Sequence, residues 1–223
     1  MNKQQISQDE KFRVKMRTIY KIFPNLNNKN KMAKLQIDDE SISYISFKDH
    51  AKQITDIIME HTLKLKINPK NLSLTDTTAG VGGNTISFAN KFKHVNAIEI
   101  DSERCMSLTN NINIYELTNV TVFNGDCINL LDTLCDEVIF IDPPWGGKKY
   151  KDFDKLKLSL SNIPIETLCN KIIKKNDKIK LIVLKLPTNY DIDYLYKTIE
   201  SNTIFFYDLK KMFIIVVQIK HSV

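Results

Sequence analysis

The residues best equipped for chemistry lie together in "FIDPPWGGKK" at 140–149, where an apolar run ends in a carboxylate, two prolines, the single tryptophan and two glycines. An exocyclic amine on a purine is a poor nucleophile, because its lone pair is delocalised into the ring. Acceptors fixed around its N–H bonds draw the nitrogen towards tetrahedral geometry and free the lone pair for an alkyl donor. Asp142 offers a carboxylate and Pro143 a carbonyl, and the prolines stiffen the loop so that neither needs reorienting. Trp145 gives a base a flat surface, worth about 1–3 kcal/mol per stacked base. A cation–π contribution is added where that base is positively charged. Gly146 and Gly147 leave room over the ring, and Lys148, Lys149 and Lys151 follow within reach of a phosphate chain. A core tryptophan beside a structural Pro-Pro turn would explain Trp145 alone, but it explains the whole combination poorly. The expected catalytic set is Asp142, Pro143 and Trp145.

A second group lies upstream in "TDTTAGVGGNT" at 75–85. Gly80, Gly82 and Gly83 let the backbone pass close to a ligand, and the helix start that follows favours negative charge. Such a turn suits a dinucleotide or a nucleotide–methionine conjugate alike. Glu99, in "AIEID", can accept both hydroxyls of a ribose, a feature that NAD enzymes share. Asp126, in "NGD", is placed to meet an adenine amino group, and Asp76 can hold the ammonium of a methionine moiety. A dinucleotide has no such ammonium and needs space for a second phosphate. The sum favours S-adenosylmethionine over the plain alternative of helix caps and surface acids.

These residues need a scaffold that brings strand ends together. Strand patterns fall at 72–76, 94–100, 120–123, 137–142, 178–186, 203–208 and 213–219, with helices near 83–92, 102–116, 164–175 and 191–200 between them. Strands separated by helices call for a parallel sheet covered on both faces. The last two strands are joined by "LKKM", too short for anything but a hairpin, so one of them runs antiparallel. The expected fold is α/β and doubly wound: a mostly parallel seven-stranded sheet ending in an antiparallel hairpin, the Rossmann-like arrangement of class I methyltransferases. Ligands in such sheets lie beyond the carboxyl ends of the strands, where strand order switches.

Before the sheet, Phe12, Met16, Ile19, Tyr20 and Phe23 recur at helical spacing and Pro24 closes the run. Residues 25–34 read as a mobile loop, and a second helix after Ser46 presents Ala51, Ile54, Ile57, Ile58, His61 and Leu65 on one face. Residues 1–45 are expected to form a basic helical N-terminal extension, and 46–223 the catalytic domain.

Charge supports that division. Residues 1–34 carry a net +7, while the whole chain carries +6, so the remainder sums to about −1. Basic residues gathered at one end suit a polyanionic partner, although a solvated lysine-rich face would look the same. The four cysteines and four histidines show no metal-ligand or disulfide spacing. No run approaches a membrane span, and the N-terminus has no apolar stretch of a secretory signal. An intracellular monomer without metal is expected, in nucleus or cytoplasm.

"TAGVGGNTISFA" at 78–89 together with "FIDPPWGG" at 140–147 resembles the trimethylguanosine synthase family, the RNA cap guanine-N2 methyltransferases. "LKLPTNYDID" at 184–193 is similar to that family's "LPxNxD" stretch, and the resemblance spans roughly 45–219. It implies methyl transfer from S-adenosylmethionine to N2 of a 7-methylguanosine cap on RNA. It further implies cofactor contacts through Asp76, Gly80, Glu99 and Asp126, and stacking of the cap on Trp145. Asn111 matches a family asparagine near the cap, Lys34 a cap-contacting lysine, and the basic extension a segment that folds over the site. Across both readings the expected cofactor set is Asp76, Thr78, Gly80, Gly82, Asn84, Thr85, Glu99, Ile100, Asp126, Cys127 and Asp142. The expected cap set is Trp145, Asn111, Pro144, Lys34, Lys148 and Lys149.

Two departures stand out. Many members have serine where Asp142 stands, which brings this chain closer to the "DPPY" of adenine amino-methyltransferases. The family's "LPRN" arginine, which faces the cap phosphates, is Thr188. Two other functions therefore stay open: amino-methylation of adenine or guanine within RNA or DNA, and a non-catalytic cap- or RNA-binding module.

Overall fold

The computed structural model describes residues 8–219 except 135, 176 and 202. One of the four cysteines, Cys135, lies outside the described residues, as do the side chains of Phe12 and Lys148 named above. The chain opens with helices α1 (Gln8–Ile22), α2 (Lys29–Ala33) and α3 (Lys48–Lys64). An alternation follows: β1 (Ser73–Asp76), α4 (Gly83–Ala89), β2 (His94–Glu99), α5 (Ser102–Ile114), β3 (Val120–Asn124), α6 (Cys127–Leu130) and β4 (Val138–Ile141). A short ribbon of β5 (Ser159–Leu160) and β6 (Ile163–Pro164) precedes α7 (Ile165–Lys175) and β7 (Leu181–Leu186). The chain closes with α8 (Ile192–Thr198), β8 (Ile204–Asp208) and β9 (Phe213–Gln218).

The main sheet has seven strands in the order β3-β2-β1-β4-β7-β9-β8. Pairing is parallel from β3 across to β7, and β9 runs antiparallel to both β7 and β8. The doubly wound expectation is met, with β9 as the reversed strand. From β1 the chain steps outward through β2 to β3, then returns to place β4 on β1's other side. That reversal makes a crevice between the carboxyl ends of β1 and β4.

Both faces of the sheet are covered, so β4 is apolar throughout and β7 is apolar but for Lys185. On one face Ile139, Ile141, Ile182 and Leu184 pack with Leu168, Cys169 and Ile172 of α7. On the other, Leu74, Phe140, Leu181 and Val183 pack with Ile54 and Ile58 of α3 and Phe88 of α4. A third cluster joins Ile19, Ile22 and Phe23 of the extension to Val81 of the glycine turn and to Leu108 and Ile112 of α5. The extension is thus seated in an apolar core next to the crevice.

Three local features differ from the sequence reading. Residues 25–34 hold α2, because the Asn28 side chain caps the Asn30 and Lys31 N–H groups at 2.9 and 3.2 Å and Met32 is fully buried. Helix α4 is shorter than the expected 83–92: Asn90 caps its end, Nδ2 donating to the Ile86 carbonyl at 2.8 Å. The β5–β6 ribbon turns through Ser161 and Asn162, whose φ values of 47° and 63° are those of a tight hairpin turn. No helix among the described residues is long and apolar enough to cross a membrane.

Candidate active site

The site forms where β1 and β4 end side by side. The Thr77 backbone N–H and hydroxyl both donate to the Phe140 carbonyl, at 3.0 and 2.9 Å. One residue on, Thr78 Oγ1 donates to the Asp142 carbonyl at 2.9 Å. The glycine turn and the Asp-Pro-Pro-Trp loop are therefore tied together residue by residue.

On the turn side, Asp76 is buried, and its Oδ2 accepts from the Thr85 hydroxyl at 2.7 Å. Oδ1 is buried without a hydrogen-bond partner. Burial pushes the Asp76 carboxyl up to about 7; the Thr85 hydroxyl opposes the rise, and the negative charges of Asp142 and Glu99 add to it. A buried carboxylate with an open oxygen is a ready partner for an ammonium group. Glu99 ends β2 with Oε2 accepting from Gly80 N–H at 2.8 Å and Oε1 from Asp101 N–H at 2.9 Å. Each oxygen keeps a further lone pair for a hydroxyl. Gly82 begins the helix at φ 101°, open to glycine at little cost, and a Cβ on Gly83 would lie 2.7 Å from Ile45 Cγ1. The segment before α3 is thus pressed directly onto the turn.

Asp126 follows β3 and accepts the Ile128 N–H at 2.9 Å, which leaves its other oxygen free of that cap. Ile100 projects from the end of β2 and is largely exposed, an apolar surface beside Glu99. Cys127 is buried, and its thiol is pushed up to about 12 by that burial, so it contributes packing and not a nucleophile. Asn84 Oδ1 is buried and unpartnered. Asp76 with its open carboxylate oxygen, Glu99 and the capping Asp126 could hold the ammonium, ribose and adenine of S-adenosylmethionine in turn.

On the loop side, Asp142 Oδ2 accepts from Lys185 Nζ at 2.6 Å, and both side chains are largely shielded. Burial pushes the Asp142 carboxyl above its ordinary range, and the Lys185 ammonium pulls it back. Trp145 is half-buried at the edge of both sheet cores, and Tyr150 meets it edge-on with ring centroids 5.2 Å apart. Its Nε1 is buried without a partner. Pro143 is buried and Pro144 exposed, so the first proline anchors the loop and the second faces outward. Lys149 is exposed on the short 3-10 helix Gly147–Asp152, which also carries Lys148. Asn189 holds that turn, donating to the Tyr150 and Phe153 carbonyls at 2.6 Å each, and Thr188 beside it is exposed.

Asn111 needs correction. It is fully buried: Nδ2 donates to the Gln36 and Val81 carbonyls at 2.8 and 2.9 Å, while Oδ1 accepts from Gln36 N–H at 2.8 Å. It is a strut between extension and glycine turn, with no group left for a base. Lys34 is exposed at the end of α2, and its carbonyl accepts from Asn110 at 3.1 Å. Lys185 joins the site without being among the residues expected there from the sequence. Its signal was a lysine inside "LIVLKL", a run that otherwise fills a strand buried on both faces, where a charge must find a partner. Among the described residues no group of three or more His, Cys, Asp or Glu could hold a metal ion.

The RNA cap guanine-N2 methyltransferase family matches residues 72–219. The "Uncharacterized protein L320" of Acanthamoeba polyphaga mimivirus is 42% identical over 216 residues, covering 88% of this chain and 84% of its own. The trimethylguanosine synthase of Schizosaccharomyces pombe is 36% identical over 84 residues, 34% of this chain and 35% of that enzyme. Among solved structures, the Thermus thermophilus 16S rRNA N2 G1207 methyltransferase, in complex with AdoMet and guanosine, shares the fold. Its TM-score is 0.55 at 14% identity, over 83% of this chain and 44% of that one. With the match running from the first strand of the sheet to the end of the last, the chain belongs to the RNA cap guanine-N2 methyltransferase family and is an S-adenosylmethionine-dependent methyltransferase.

Proposed function

We propose that this chain methylates the exocyclic N2 of a 7-methylguanosine cap on RNA. The observation that carries the reading is the adjacency, at one sheet crevice, of an indole surface and a fixed acceptor pair with the open Asp76 carboxylate. In this account Asp76 holds the ammonium of the cofactor, Glu99 its ribose and Asp126 its adenine, along a wall formed by Gly80, Gly82, Thr85 and Ile100. When bound, S-adenosylmethionine supplies an electrophilic methyl carbon and departs as a neutral thioether.

The chain's own residues do the rest by positioning. Trp145 stacks the base and adds a cation–π contribution, because 7-methylguanine is positively charged. Asp142 Oδ1 and the Pro143 carbonyl accept the two N–H bonds of N2 and leave its lone pair directed at the methyl carbon. Asp142 is also the nearest base for the proton that the methylated nitrogen sheds. Residues 1–45 serve as an extension seated over the 46–223 domain, their exposed Arg13, Lys15 and Arg17 available to RNA phosphates.

Labelled methyl transfer to a 7-methylguanosine cap dinucleotide, followed by digestion to nucleosides, tests this. The label is expected on guanine N2. One observation favours a second substrate, the acidic Asp142 where many members of the family have serine. Transfer to an adenine amino group in uncapped oligonucleotides, with none to the cap, would select it.

A further inference from the structure

We propose that Lys185 is a positioning residue, and that the working amine acceptor is the Asp142–Lys185 pair rather than Asp142 alone. This rests on the amine-methylating reading above and deepens it.

Leu181 and Val183 face the α3–α4 layer, and Lys185 takes the next position on the same side of β7. An aliphatic residue would satisfy that environment, whereas a lysine head buried there is costly unless paired. Its Nζ is placed against the loop that does the chemistry: 2.6 Å from Asp142 Oδ2, 5.5 Å from the centroid of the Trp145 ring, and 3.5 Å from the Tyr44 carbonyl. One ammonium thus touches the acceptor, the stacking surface and the extension.

Three consequences follow. With Oδ2 engaged by Lys185, Oδ1 is the atom left to face a substrate amine, so the lysine fixes which oxygen works. It also keeps Asp142 a carboxylate. Burial alone favours the neutral acid, which would present a donor where an acceptor is required. Finally, it occupies one side of the indole and directs a base to the other.

The charged neighbours of the pair are few. Asp76 approaches Asp142 from β1, and its negative charge works against a second ionised carboxylate. His50, on α3, faces Lys185 and Lys211; burial and both lysines push its pKa below the ordinary histidine range, and Asp49 opposes them. Saturating S-adenosylmethionine pairs Asp76 and removes its titration from the comparison.

The test is the pH profile of methyl transfer by K185M, which keeps the length of the chain without its charge, against wild type and K185R. In K185M the acid limb of kcat should move upward by about 1–3 pH units. The KM for substrate should change little, activity should recover at alkaline pH, and K185R should stay near the wild-type limb. A K185M enzyme that is slow at every pH with an unmoved limb, or as fast as wild type throughout, overturns the proposal. If wild type ignores the cap but methylates an uncapped oligonucleotide, the cap reading fails, and the same profile on that oligonucleotide still tests Lys185. A carboxyl-carbon NMR titration of aspartate-labelled protein, with Asp142 assigned through D142N, reads the midpoint without turnover. Equal midpoints in wild type and K185M overturn the proposal whatever the substrate. K185Q replaces K185M should the latter fail to fold.

Discussion

One hydroxyl joins the two halves of the site: Thr78 Oγ1 donates to the Asp142 carbonyl at 2.9 Å and accepts from the Asp142 backbone N–H at 3.2 Å. In the proposed arrangement Thr78 belongs to the turn that holds the cofactor and Asp142 to the loop that holds the amine. Their spacing then sets how far a methyl donor stands from an amine, the quantity to which a displacement reaction is most sensitive.

Thr78→Val removes both bonds with little change in volume. We expect kcat to fall about tenfold or more, since a shift approaching an ångström can cost about a hundredfold. Cofactor affinity, measured by calorimetry, should change less than kcat, and Thr78→Ser should restore most of the rate. Unchanged kcat in the valine variant would show that the loop holds its place without the threonine.

Trp145→Ala removes the stacking surface. The loss of about 1–3 kcal/mol corresponds to roughly 5- to 150-fold weaker cap binding. Trp145→Phe should fall between, and S-adenosylmethionine affinity should stay near wild type. The indole also leans on both sheet cores, so a drop in melting temperature will accompany the alanine variant. An alanine variant that loses stability but binds cap normally would remove Trp145 from the substrate site.

Asp76 makes cofactor binding depend on pH. Its carboxyl is pushed up to about 7 by burial in the free protein, and only the ionised form pairs with an ammonium. Binding therefore releases a proton when it begins below that pH. Affinity for S-adenosylmethionine should fall about tenfold per unit as pH drops below 7. It should level off above, until the ligand's own ammonium begins to deprotonate. Asp76→Asn should bind weakly and lose that slope. Titration calorimetry across the neutral range checks both, and a flat wild-type profile would contradict the assignment.

Asn111→Ala should act on stability. It strips hydrogen bonds from the Gln36 backbone and from the buried Val81 carbonyl, at a cost of about 1–3 kcal/mol. A lower urea midpoint is expected. Unaltered unfolding with a selective loss of cap binding would return Asn111 to the ligand site.

The sheet, its switch point and the two motif loops were legible because they rest on short-range rules: alternation of apolar strands with helices, glycines at a turn, and prolines beside an acid. The rest depended on contacts between residues far apart in the chain. Lys185 looks like one charge in a strand until Asp142, 43 positions away, is brought to its side. Asn111 resembled a ligand-facing asparagine because nothing nearby in sequence reveals that Gln36 and Val81 claim its amide. Helix α2 was hidden by its lysines and asparagines, and its stability comes from the Asn28 cap and the burial of Met32.

The central claim is that an acceptor pair and an indole present a cationic guanine to a methyl donor. Initial rates of labelled methyl transfer to m7GpppA and to GpppA, at equal concentration and saturating S-adenosylmethionine, test it most directly. Rapid transfer to m7GpppA with little to GpppA is the expected result. Equal rates on the two would contradict the account.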